Sequence, residues 1–130
     1  MKPVFQTQFG GKEGNCMQAA IASILELPLD EVPHLMLYSV DDWWGKYEEW
    51  AKQLGLQPIG IDPNGDWKPK GWHLIIGGSP RGDFDHVVVG FAGEPVHDPY
   101  PEGGCELTEV KAYEFFIELD PVREWKHVEG

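Results

Sequence analysis

A chain of 130 residues with 42% hydrophobic and 25% charged side chains has the composition of one globular domain, with apolar material for a single core. Its formal net charge of −12, from 22 acidic against 10 basic side chains, opposes phosphate backbones and anionic lipid, so no nucleic acid and no membrane is expected as a partner. The same field suits solubility, and it would attract a basic peptide or protein.

The opening "MKPVFQTQFGGKEGN" lacks the apolar stretch of a signal peptide, and no run reaches membrane-spanning length. A cytoplasmic domain spanning 1–130 is the expectation, with a tail at 121–130 that frays. Cys16 and Cys105 are too few for a disulfide framework and in a reducing compartment read as thiols. No C-x-x-C pair or comparable ligand spacing is present, so neither metal nor cofactor is expected.

In chain order, "PVFQTQF" alternates as a strand would and runs into the flexible "GGKEGN". The spacing then predicts a helix over 15–26, "NCMQAAIASILE", with Asn15 as N-cap and Cys16 in the first helical position. "LPLDEVPHL" suits a short helical turn and an extended linker beneath that helix. A second helix is predicted over 41–54, where Trp43, Tyr47, Trp50 and Leu54 recur at helical spacing and Gly55 supplies the stop. Adjacent Trp43 and Trp44 point about 100° apart, so both cannot centre one buried stripe; Trp44 is the candidate to line a substrate groove. Five strands follow: "LQPIGI", "WHLIIGG", "HVVVGFAG", "EPVHDP" and "AYEFFIEL". Helices first and strands after predict an α+β fold, with N-terminal helices on a C-terminal antiparallel sheet.

A thiol that opens a helix meets the positive end of the macrodipole and free N–H groups, which favour a thiolate. Cysteine is equally at home in a core, so position alone does not make Cys16 a nucleophile. His86 opens an apolar strand, the chain turns at "AGE", and Asp98 ends the next strand, so a hairpin could bring Asp98 beside His86. Thiol, imidazole and carboxylate are the types that nucleophilic catalysis requires: the imidazole moves the proton, and the carboxylate fixes its tautomer. His73 is an alternative base, whereas His97 alternates to the face opposite Asp98. Cys105, in the loop "PEGGCEL", reads as an ordinary thiol, and "GGSPRGDFD", which joins two strands, as a border of the cleft.

The segments "GNCMQAAIASIL", "DHVVVGF" and "VHDPY" resemble the papain-like cysteine peptidase superfamily. The likeness is nearest to the double-glycine peptidases that trim bacteriocin leaders and to small papain-like proteins encoded by phages and bacteria, and it covers roughly residues 6–99. It implies a papain-like fold, with Cys16 as nucleophile, His86 as base and acid, and Asp98 as the group that orients it. It also implies a Gln upstream of the Cys that helps hold the oxyanion; Gln6 and Gln8 are both available, and Gln8, the nearer, is slightly preferred. Asn15 and Trp44 are taken as substrate-binding. "GNC" stands where leader peptidases carry Asp-Cys-Gly, so the substrate stays open: a peptide, a protein or a small molecule.

Two functions follow from the resemblance. One is a thiol-dependent hydrolase or acyl transferase that acts on a peptide or isopeptide-like amide through an acyl-enzyme. The alternative is a binding protein on the same scaffold, a phage-encoded defence antagonist in the host cytoplasm that sequesters or covalently captures a small ligand or host protein without turnover. The sequence leaves the oligomeric state open.

Overall fold

Small and straight-chain side chains dominate "CMQAAIASIL", which forms helix α1 (Cys16–Leu25). Ala19, Ala20 and Ala22 are fully buried, so the helix backbone lies close against the sheet. The helix ends as Glu26 turns left-handed, with φ 57°, ahead of Pro28. The computed structural model describes residues 1–119, so the tail at 121–130 lies outside the described residues.

After α1 the chain makes two 3-10 turns, Leu29–Glu31 and Leu35–Leu37, where the sequence suggested one. The Gln18 side chain ties α1 to the first of them, its Nε2 donating to the carbonyls of Leu29 and Val32. Helix α2 (Trp43–Gln53) follows, and Gly55, at φ 75°, supplies its stop. Tyr47 and Ala51 form its buried face, while Leu54, expected on that face, is 47% exposed because the helix has already ended.

The remaining elements are β1 (Leu56–Ile61), β2 (Trp72–Gly78), β3 (Asp85–Phe91), β4 (Glu94–His97) and β5 (Val110–Glu118). They make one sheet in the order β1-β5-β2-β3-β4, antiparallel at every neighbouring pair. The architecture is α+β, two N-terminal helices packed on a five-stranded antiparallel sheet. The main core joins Ala20 and Ile21 of α1 and Tyr47 of α2 to Leu74, Val87 and Val89 of the sheet. Alternation sends Ile75, Val88 and Tyr113 to the other face, where Leu107 and Cys105 of the loop before β5 pack against them. Among the described residues no helix is long and apolar enough to cross a membrane.

The expected N-terminal strand does not form. Residues of "PVFQTQF" make single backbone bonds to different elements instead of a ladder: Val4 N donates to Ser23 Oγ on α1 at 2.9 Å, and Gln6 N to Pro99 O just past β4 at 2.9 Å. The segment crosses from helix to sheet end, so strand alternation does not govern its side chains.

Candidate active site

Cys16 is the first residue of α1 and sits half-buried, contributing one of the N–H groups that a helix leaves without an internal partner. Asn15 precedes the helix as expected, but its side chain does not cap it. Its Oδ1 accepts from Thr7 N at 2.9 Å and Gln8 N at 2.8 Å, while its Nδ2 donates to Thr7 Oγ1 and Gln18 Oε1. Asn15 therefore staples the upstream segment to α1, and its hydrogen-bonding capacity is used within the chain rather than held out to a substrate.

His86 is the second residue of β3 and is 2% exposed. Across the hairpin, Ala92 and Gly93 both adopt positive φ (53° and 88°), the backbone of a tight two-residue turn. Pairing runs Phe91 with Glu94 and Gly90 with Pro95, then slips so that Val89 pairs with His97. Val96 is thus an extra residue, a bulge on the edge strand beside a proline that could not extend the ladder. Carried one step further, the slipped register aligns Asp98 with Val88, on the face that His86 shares by alternation. Asp98 Oδ1 there lies 2.7 Å from His86 Nε2, with both side chains almost wholly buried.

Backbone amides complete the carboxylate's shell: Tyr100 N donates to Asp98 Oδ1 at 2.9 Å and Cys105 N to Oδ2 at 3.0 Å. Cys105 thus holds the aspartate through its main chain, at a left-handed φ of 64°, a role its side chain gives no hint of. Gly103 lies so close that a Cβ there would overlap Asp98 Oδ2. Burial pushes the Asp98 carboxyl up, but the His86 bond and the amides outweigh it and hold the group below the usual carboxylate range. Burial likewise pushes the His86 imidazole down, while its bond to Asp98 and the adjoining Cys16 side chain raise it to about 9. With Nε2 committed to Asp98, Nδ1 is the ring nitrogen left for the thiol.

Cys16 and His86 open together on a cavity of about 280 Å³, bordered by Gln6, Phe9, Arg81 and Tyr100. Arg81 and Phe84 come from the "GGSPRGDFD" loop, and the Arg81 guanidinium stacks 3.7 Å from the Tyr100 ring centre. Of the two glutamines, Gln6 is buried on this cavity, whereas Gln8 is exposed and lines a separate depression with Asn15. Gln6, not the preferred Gln8, thus shares the cavity with Cys16, because closeness along the chain does not decide where an irregular segment aims its side chains. Gln6 Nε2 donates to Gln8 O at 2.9 Å, and its Oε1 is buried without a partner among the described residues.

A second cavity of about 360 Å³ also reaches Cys16 and is lined by Met17, Met36, Trp43, Val87 and Glu114. Trp43, not Trp44, faces it; Trp44 packs edge-on against Trp43 and Tyr47, over Gly60 of β1. His73 is fully buried beside Tyr113, its Nδ1 bound to Gly71 O, and His97 meets Val4 O through Nε2, so neither joins Cys16. Both cysteines are free, and among the described residues no group of three or more His, Cys, Asp or Glu side chains could hold a metal ion. Glu114 escaped the sequence reading; its one signal is a carboxylate at an inward position of an apolar strand. Compared with models of protein families, with curated proteins and with solved structures, the chain matches none.

Proposed function

We propose that the chain is a papain-like thiol enzyme that cleaves a peptide or isopeptide-like amide through an acyl-enzyme on Cys16. The observation that carries this reading is the buried His86–Asp98 pair, whose imidazole adjoins the thiol at a helix N-terminus and opens with it on a cavity. Because Asp98 keeps the ring protonated at neutral pH, His86 is the counter-ion that a Cys16 thiolate requires.

The thiolate attacks the carbonyl carbon, and the oxyanion settles against the Cys16 N–H and the Gln6 amide. The imidazolium gives its proton to the departing amine, leaving a thioester and a neutral His86. That imidazole then takes a proton from water, or from another acceptor, as it attacks the thioester; the thiolate departs and the ion pair is restored. Resemblance in "GNCMQAAIASIL", "DHVVVGF" and "VHDPY" supports the papain-like assignment, and the α+β layering is compatible with it.

Iodoacetamide labelling across a pH series, followed by intact mass, tests the chemistry. Cys16 should alkylate at neutral pH about tenfold or more faster than Cys105, and His86→Ala should remove that advantage. Equal rates at the two thiols, or an unaffected His86→Ala variant, would overturn the assignment. Fast labelling with a stable acyl adduct and no turnover on activated esters would favour covalent capture over catalysis.

A further inference from the structure

Glu114 presents an unanswered polar group. It lies on β5 at an inward position between Ala112 and Phe116, paired across to Gly60 of β1 and Leu74 of β2. Only 7% of it is exposed, and its Oε1 is buried with no hydrogen-bond partner among the described residues. An unpartnered buried carboxyl is costly for a fold, and such groups are retained where something else supplies the donor.

The space in front of it is the 360 Å³ cavity that also reaches Cys16. Its walls are the thioethers of Met17 and Met36, the Trp43 indole and the Val87 side chain, surfaces that accept an alkyl chain. Among the described residues no basic side chain lines the cavity, and its ionisable groups besides Cys16 are Glu114 and Asp85, both acids. Asp85 Oδ1 is already paired with Lys111 Nζ at 2.7 Å, which leaves Glu114 as the uncompensated one. A chain of net charge −12 also draws cations toward its clefts.

We infer that Glu114 is a specificity-determining residue, the floor of a subsite for the basic side chain of a substrate, with the ammonium or guanidinium on Glu114 and the alkyl stem along Trp43 and the two methionines. The inference rests on the thiol chemistry proposed above for the reaction that it serves. Burial raises the Glu114 carboxyl to about 7, and a bound cation would hold it ionised.

Two measurements separate the subsite from the chemistry. In the first, Nα-acetyl-lysine amide and Nα-acetyl-norleucine amide are titrated into Cys16→Ala protein, and the NMR signals of the Met17 and Met36 methyls and the Trp43 indole are followed. The lysine compound should shift these signals saturably and bind about tenfold or more tightly than norleucine, and Glu114→Gln in the same background should bring the two within about twofold. Equal binding, shifts elsewhere, or a preference that survives Glu114→Gln would overturn the subsite. In the second, wild-type protein is alkylated with lysyl and norleucyl chloromethyl ketones. A lysyl preference removed by Glu114→Gln supports the subsite, and equal fast rates overturn it while leaving the thiol chemistry standing. Inert Cys16 in a chain that still binds the lysine amide would overturn the chemistry and keep the subsite.

Discussion

Asp98 meets His86 because Val96 bulges out of the ladder. With a regular ladder from the two-residue turn, Val88 would face His97, and His97 would share the His86 face; the slip at Val89 exchanges His97 for Asp98. A 2.7 Å bond between the two most buried charged groups of the hairpin thus depends on a backbone irregularity on the edge strand.

Deletion of Val96 should therefore leave the pair in place, because a regular ladder would then still set His97 against Val89 and Asp98 against Val88. Asp98→Asn breaks the pair chemically and should lower the His86 titration from about 9 by about one unit or more, read from the imidazole Cε1–H signal, whereas the Val96 deletion should leave it near 9. Because the folded-state pKa is raised, the imidazolium's contribution to stability is complete below the ordinary value of 6.5 and fades as pH rises through about 9. In Asp98→Asn the decline in melting temperature over that window should flatten. A His86 titration that stays near 9 in Asp98→Asn would show that Asp98 does not set it.

Gly103 should tolerate no side chain, since a methyl group would overlap the Asp98 carboxylate rather than a movable chain end. Gly103→Ala should cost about 1–3 kcal/mol in denaturant unfolding and should lower the His86 titration as well. Gly104, whose nearest neighbour to an added Cβ is the Glu106 carboxylate at 3.9 Å, is the control, and Gly104→Ala should leave the titration in place. Equal effects at the two glycines would mean that the loop, not the contact with Asp98, matters.

Much of this arrangement is legible in the residues, and the exceptions share a cause. The order of helices and strands follows from apolar periodicity and from breakers such as Gly55 and the Ala92–Gly93 turn, which act locally. Cys16 at a helix start and His86 at a strand start are local too. Gln6 and Gln8 could not be separated, because their segment is placed by bonds to Ser23 and Pro99, far along the chain. Asn15 fits the residue preference of an N-cap, yet its amide is drawn to Thr7 and Gln8, a tertiary competition that propensity does not register. Helical spacing allowed Trp43 or Trp44 to face the cleft, and the choice fell to packing against Tyr47 and β1. The Val96 slip leaves no clear mark beyond Pro95 on an edge strand.

If Gln6 shares the oxyanion with the Cys16 N–H, its loss should depress catalysis while leaving alkylation intact. With a p-nitrophenyl ester as substrate, Gln6→Ala should lower the acylation rate about 10- to 100-fold and Gln8→Ala by no more than about twofold, with iodoacetamide rates at Cys16 unchanged in both. A larger loss in Gln8→Ala would return the role to the exposed residue. Loss of alkylation in Gln6→Ala would point instead to a structural part, because its backbone and side chain also anchor the segment to Pro99 and Gln8.

Glu114 should also declare itself through stability, with no ligand present. Burial raises its carboxyl from the ordinary 4.5 to about 7, so between those values the folded chain keeps a proton that the unfolded chain releases. Stability contributed by the neutral acid is whole below about 4.5 and is lost as pH rises through about 7, after which an ionised carboxylate with no partner among the described residues persists inside the fold. Tyr47, held above the ordinary tyrosine range by burial and by the Glu114 charge, stays neutral throughout and offers no compensating cation. Glu114→Gln removes the ionisation with almost no change in shape. It should leave stability near wild type at pH 4 and raise it by about 1–3 kcal/mol at pH 8, measured by urea unfolding. Subtracting the two pH profiles isolates this decline from that of His86, whose window begins where the Glu114 window closes. A variant that is less stable than wild type at pH 8 would mean that the carboxylate has a partner in solution and is not waiting for one.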